Sequence, residues 1–220
     1  MLFTRNTRRL GITSALGITC LSVAYAVTLT IGLVLLPSPA EPIGDPYFSV
    51  LEVLICAMMP LFVALFVAVY AWSPARAKGF TLVAVVFSGL LTGLTMSVHF
   101  VILIVNREAA FANLPWAPLL ISFRWPSMAY MLEILAWDVF FALTVLFAQP
   151  AFSGSRLAAW VRVLMIVSGV LALAGLSGVI ANDMQLRSVG VLGYVGVFPV
   201  ATALLARLFW VTAPGEKTDA

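Results

Sequence analysis

Three ionisable side chains, Glu52, His99 and Glu133, interrupt apolar runs of this chain, and His99 is its single histidine. Such groups are expensive in a bilayer and face a partner or a water-filled cavity there, which makes them the first candidates for function. An imidazole hydrogen-bonded to a carboxylic acid can take up and release protons, and the same groups can meet a cation. With the outer helix ends set near Pro46, Asn106 and Trp125, the helical rise puts Glu52 about 9 Å, His99 about 10 Å and Glu133 about 12 Å below the outer surface. The expectation is a proton- or cation-responsive site open to the outside. It rests on a contact between His99 and Glu133, with Glu52 as a further ligand or gate. The plainer alternative is a set of interhelical hydrogen bonds that serve only packing.

Helical phase supports a shared site. Ser88, Thr92, Thr95, His99 and Asn106 fall on one face of their run, because residues three, four and seven apart lie above one another on a helix. Thr92, Thr95 and Asn106 therefore form a supporting polar face. Glu52, Cys56 and Met59 share a side just ahead of Pro60, whose missing N–H leaves a carbonyl one turn earlier free. Tyr130, Glu133 and Trp137 run together. Asp138 follows Glu133 by five positions, which on a regular helix turns it about 140° away and sets it apart from the site. Near the middle of the bilayer, Asp138 reads either as a relay toward the cytoplasmic half or as a packing contact.

Several chemistries are argued against by what the sequence lacks. A retinal Schiff base needs a lysine within a span, and Lys78 and Lys217 both fall outside the apolar runs. One histidine cannot supply the set that zinc hydrolases use, although His99 with Glu52 and Glu133 could hold a metal weakly. Bis-histidine haem fails on the same count, and His99 with Met96 or Met58 is only a formal haem pair. Ser153 and Ser155 have no histidine on their side of the membrane, as an intramembrane serine protease would require. No catalytic residue and no cofactor is assigned, and the metal question stays open. Glycines read as packing positions: Gly89 with Gly93, and Gly190, Gly193 and Gly196 at every third residue, allow close helix approach.

The elements that must position these residues follow from composition. Of the 220 residues, 63% are hydrophobic and 10% charged, and the mean hydropathy is +1.10, far from soluble domains. The apolar runs are 12–36, 47–72, 80–105, 126–148, 157–181 and 188–212, separated by Pro, Gly and Asn/Asp punctuation. They lack the alternation of barrel strands. The reading is an all-α polytopic membrane protein, one bundle of six transmembrane helices and a single domain. Arg5, Arg8, Arg9, Arg76, Lys78, Arg156, Arg162, Arg207 and Lys217 fall on one side, so both termini are expected in the cytoplasm. The net charge of +3 is used up in these short loops, leaving no stripe for a nucleic acid.

Arg107, Arg124 and Arg187 fall on the other side, with Glu41, Asp45, Glu108 and Asp183. Ala24-Tyr25-Ala26 resembles a cleavage site, yet the first apolar run is too long for a cleaved signal peptide, whose core is about 7–15 residues. An uncleaved span is expected. Cys20 and Cys56 lie within spans and read as packing residues rather than a disulfide. The stretch 107–125, with Trp116 and Trp125, reads as an outer interfacial loop that caps the bundle.

His99-Phe100 through Asn106-Arg107, and Glu133 through Phe147 with Pro150 and Phe152, resemble an uncharacterised group of small six-span bacterial membrane proteins. The resemblance implies a six-helix fold and assigns no activity, and the size and loop style suit a bacterial inner membrane. Two functional classes follow from the residues themselves. One is a small proton- or cation-linked transporter, and the other is a non-catalytic subunit or sensor that docks a copy of itself or another membrane protein. A third, a lipid-modifying enzyme, would use the acid and the histidine to exchange protons with a substrate.

Overall fold

The computed structural model describes residues 3–38, 41–105 and 114–215. Six helices in it are long and apolar enough to cross a membrane: α1 Arg5–Val34, α2 Tyr47–Trp72, α3 Ala75–Val105, α4 Met128–Ala151, α5 Arg156–Ala181 and α6 Ser188–Val211. The shortest holds 24 residues, and about 36 Å of helix exceeds a hydrocarbon core of about 30 Å. In that medium a helix satisfies its own backbone, which is why unbroken apolar runs become helices. No strand occurs among the described residues.

Each helix packs on its neighbours in sequence, and α6 returns to α1, so the six close into a ring. An even number of crossings brings the chain back to the end where it began: Gly215 N–H donates to the Phe3 carbonyl at 3.0 Å. At this termini end, basic residues close the C-termini of helices. Arg8 Nε donates to the Phe209 carbonyl at 2.9 Å, and Lys78 Nζ donates to the carbonyls of Tyr70 and Ala71. Cations are favoured at helix C-termini.

The centre of the ring is aromatic. Phe62 of α2 stacks on Phe198 of α6 at 5.1 Å and meets Trp137 and Phe141 of α4 edge-on at 6.0 and 6.3 Å. Elsewhere the helices approach through small residues. A Cβ on Gly11 would stand 2.6 Å from the Phe209 ring, one on Gly175 3.1 Å from the Gly190 Cα, and one on Gly193 2.6 Å from the Ser168 carbonyl. Gly89, Gly93 and Gly196 differ, since a Cβ on any of them would meet nothing within 4 Å. The expected close approach at these three is therefore not made within the chain. On α3 the reason is phase, because Ser88, Leu91, Thr95 and His99 turn inward and leave Gly89 and Gly93 exposed.

Two helices carry π turns, and both turns contribute residues to the middle of the bundle. Residues Leu135–Phe141 of α4 and Leu192–Val197 of α6 form π turns, with i→i+5 hydrogen bonds. In α6 the irregularity ends two residues before Pro199, which has no N–H to offer the preceding turn. Ser168 Oγ of α5 donates to the Gly193 carbonyl there at 2.7 Å. Cys20 is exposed and Cys56 half-buried, and both are free thiols.

Candidate functional site

α2, α3 and α4 deliver Glu52, His99 and Glu133 to one point in the half of the bundle away from the termini. His99 Nδ1 and Glu52 Oε2 share a hydrogen bond of 2.7 Å. His99 Nε2 stands 3.2 Å from Glu133 Oε2, but its alignment is outside hydrogen-bond geometry. The imidazole is thus held by Glu52 and approached by Glu133. This reverses the expected ranking, in which Glu133 was the firm partner and Glu52 the uncertain one. All three side chains are buried, at 3%, 4% and 7% exposure for Glu52, His99 and Glu133.

The cluster has one carboxyl more than the imidazole can neutralise. Glu133 Oε1 has no hydrogen-bond partner among the described residues, and a buried polar atom in that state is costly. A proton or a cation is what such a cluster lacks.

A cavity of about 610 Å3 opens beside the trio, inside the range of drug-sized ligand sites. Its mouth is at the loop end, between Pro42–Asp45 and Ile121–Arg124, and its floor is the aromatic cluster at Phe62, Trp137 and Phe198. Tyr25 of α1 and Tyr194 of α6 also line it. Phe123, from the loop ahead of α4, lays its ring 5.1 Å from the His99 ring. Trp125 Nε1 anchors that loop by donating to Asn182 Oδ1 at 2.7 Å. Ser127 caps α4, accepting from Tyr130 N–H, and its hydroxyl donates to the Ser122 carbonyl. Of the expected interfacial loop, Ile121–Arg124 line one side of the cavity mouth, while Trp116 and Leu119 are exposed. Its residues 107–113 lie outside the described residues.

The supporting polar residues have separate jobs. Thr92 Oγ1 donates to the Met59 carbonyl at 3.0 Å, tying α3 to α2. Thr95 is fully buried, and its hydroxyl has no partner among the described residues. Asn106 lies outside the described residues. Tyr130 OH accepts from Arg187 Nη1 at 3.0 Å, and the guanidinium carbon sits 4.8 Å over the same ring.

Arg187 is the residue that sequence reasoning missed. Placed there among the charges of a loop, it is 8% exposed, lines the cavity and donates from Nε to Asp138 Oδ2 at 3.0 Å. Its pKa is held above the ordinary guanidinium value: burial acts against the charge, and Tyr194, Asp138 and Tyr130 outweigh it. Asp138 is consequently not isolated from the site, as a regular helix predicts, but joined to its wall through Arg187. The π turn that contains Asp138 removes the basis of the 140° argument, because it carries an extra residue per turn. One signal was available: an aspartate deep in a span needs a cation, and Arg187 borders the sixth run.

Among the described residues, no group of three or more His, Cys, Asp or Glu converges as a metal site. The geometry explains this for the trio, whose imidazole stands between the two carboxylates with a different nitrogen toward each. Compared with family models, curated proteins and solved structures, the chain matches none.

Proposed function

We propose that this chain is a small proton-linked transporter, a multi-pass protein of a bacterial inner membrane. The supporting observation is an imidazole between two carboxyls from different helices, on the wall of a cavity of about 610 Å3. By the positive-inside rule, the basic termini end faces the cytoplasm and the cavity mouth faces outward. The aromatic floor at Phe62, Phe141 and Phe198 closes the route toward the cytoplasm, so the conformation is outward-open. In this reading the trio exchanges protons with the outer solution, and a ligand in the cavity shifts their number.

Proteoliposomes with an acid interior and a fluorescent pH reporter test the proposal. Organic cations, neutral molecules and anions are added in turn, and at least one compound is expected to discharge the gradient only when the protein is present. Glu133→Gln and His99→Ala should abolish that discharge while eluting from a sizing column like the parent. Discharge at the parental rate in both variants would sink the transporter reading.

A second reading, a subunit that docks a copy of itself or another membrane protein, has one observation in its favour. Gly89 and Gly93 form a bare, exposed strip on α3 that none of the described residues covers, and such strips allow close helix contact in lipid.

A further inference from the structure

We infer that the cavity takes an organic cation with an apolar, aromatic body, which displaces a proton from the Glu52–His99–Glu133 cluster. The inference rests on the transport reading for its cellular role, although the binding it describes can be measured separately. Three features of the cavity point the same way. Its polar wall carries Glu52, His99 and Glu133, two carboxyls against one imidazole, and Glu133 Oε1 is buried without a partner among the described residues. Its other walls mix aromatic with aliphatic side chains, and rings such as those of Phe62, Trp137 and Tyr194 attract cations while the aliphatic groups cover apolar surface. Its buried guanidinium, Arg187, is already engaged by Asp138 and Tyr130, so an anion finds no unmatched charge at that depth. A neutral apolar molecule would fill the space and leave Glu133 Oε1 unmet.

Proton linkage follows from sharing the same oxygens. When the cation arrives, an O–H bond of the cluster breaks, the proton leaves through the mouth to water, and the carboxylate faces the ligand charge. No electron transfer and no second reactant is needed. The titratable groups that interact with the trio are Tyr25 of α1, Cys56 of α2, Asp138 of α4 and Tyr194 of α6, while Tyr130, Arg187 and, at the mouth, Asp45 and Arg124 line the same cavity. Arg187 and Asp138 form an ion pair, the Cys56 thiol is ordinarily neutral below about pH 8.5 and the tyrosines below about pH 10. The exchangeable protons are thus those of the trio. Protons and the cation compete, so affinity rises with pH.

The probe is 1-methyl-4-phenylpyridinium, whose charge is permanent, added to the full chain in detergent. Trp137 lines the cavity, and saturable quenching of tryptophan fluorescence reports binding. Affinity is expected to rise between about pH 5 and pH 8 by up to about tenfold per unit, the slope of one displaced proton. Glu133→Gln should remove both binding and slope. Phe123→Ala, which leaves the cluster charges intact, should weaken binding and keep the slope, so a misfolded glutamine variant does not end the test. Equal affinity for the neutral isostere 4-methylbiphenyl, or affinity independent of pH, would overturn the inference. Pyridinium binding with this slope but no gradient discharge in proteoliposomes upholds the ligand class and sinks the transporter. Discharge by neutral or anionic compounds alone, with no pyridinium binding, does the reverse.

Discussion

Arg187 Nε donates a 3.0 Å hydrogen bond to Asp138 Oδ2, joining two buried side chains that lie 49 positions apart. The pair is charge-matched, and Tyr130 accepts a further donor of the guanidinium. The neighbouring trio is not matched, since His99 meets two carboxyls. One contact pairs opposite charges one to one, and the other sets one imidazole between two carboxyls. The cavity is thus lined by Arg187, whose partner Asp138 lies behind it, and by the unmatched trio.

Removing one member of the matched pair strands a buried charge. Asp138→Asn and Arg187→Met are each expected to destabilise the protein by about 3–5 kcal/mol. The double variant Asp138→Leu with Arg187→Met should lose less than either single change. Thermal unfolding in detergent measures this, and losses that simply add would show that the two side chains do not act as a pair.

Gly190 makes room for that aspartate. A Cβ there would sit 2.9 Å from Asp138 Oδ1 and 3.3 Å from both the Ala172 carbonyl and the Gly175 Cα. Gly190→Ala is expected to cost about 1–3 kcal/mol, the usual range for overpacking. Unfolding at the parental temperature would mean that α5 and α6 separate more easily than their contact suggests.

Gly89 and Gly93 behave oppositely. With nothing within 4 Å of a Cβ at either, Ala at both positions should leave monomer stability unchanged or raise it by about 1 kcal/mol per site through helix propensity. Gly93→Leu separates the two functional readings. If α3 docks a partner, the larger assembly seen by native mass spectrometry should disappear while the monomer stays folded. An assembly that survives the change removes the support for a docking face.

The loop at the rim of the cavity hangs on Trp125. Its indole N–H reaches Asn182 Oδ1 at 2.7 Å, so Trp125→Phe should cost about 0.5–1.5 kcal/mol locally. Faster hydrogen exchange is expected in residues 114–127 and not in the six long helices. Uniform exchange across the chain would contradict a locally anchored loop.

Much of this architecture is legible in the chain itself. Six spans follow from apolar runs longer than a bilayer is thick, because a helix in lipid satisfies its backbone locally and its limits need no distant partner. The second span, Tyr47–Trp72, has the same limits in sequence and structure, while the first begins seven residues earlier, at Arg5 rather than Ile12. Its polar start, capped by Thr4, falls below the hydropathy that marks a span. Glu52, His99 and Glu133 stand out for a similar reason: the cost of an ionisable group in an apolar run is a local property.

Tertiary structure alone decided what depends on rotation and approach between helices. That Glu52 rather than Glu133 holds the imidazole, that Gly89 and Gly93 face outward, and that Arg187 folds in to Asp138 are results of interhelical packing. The π turn of α4 is of the same kind, since no residue in Leu135–Phe141 is a proline or glycine that would mark it. A cavity is the volume that several helices fail to fill, so no single run encodes it. Length and cost are written along the chain, whereas phase, partner and empty space belong to the assembled bundle.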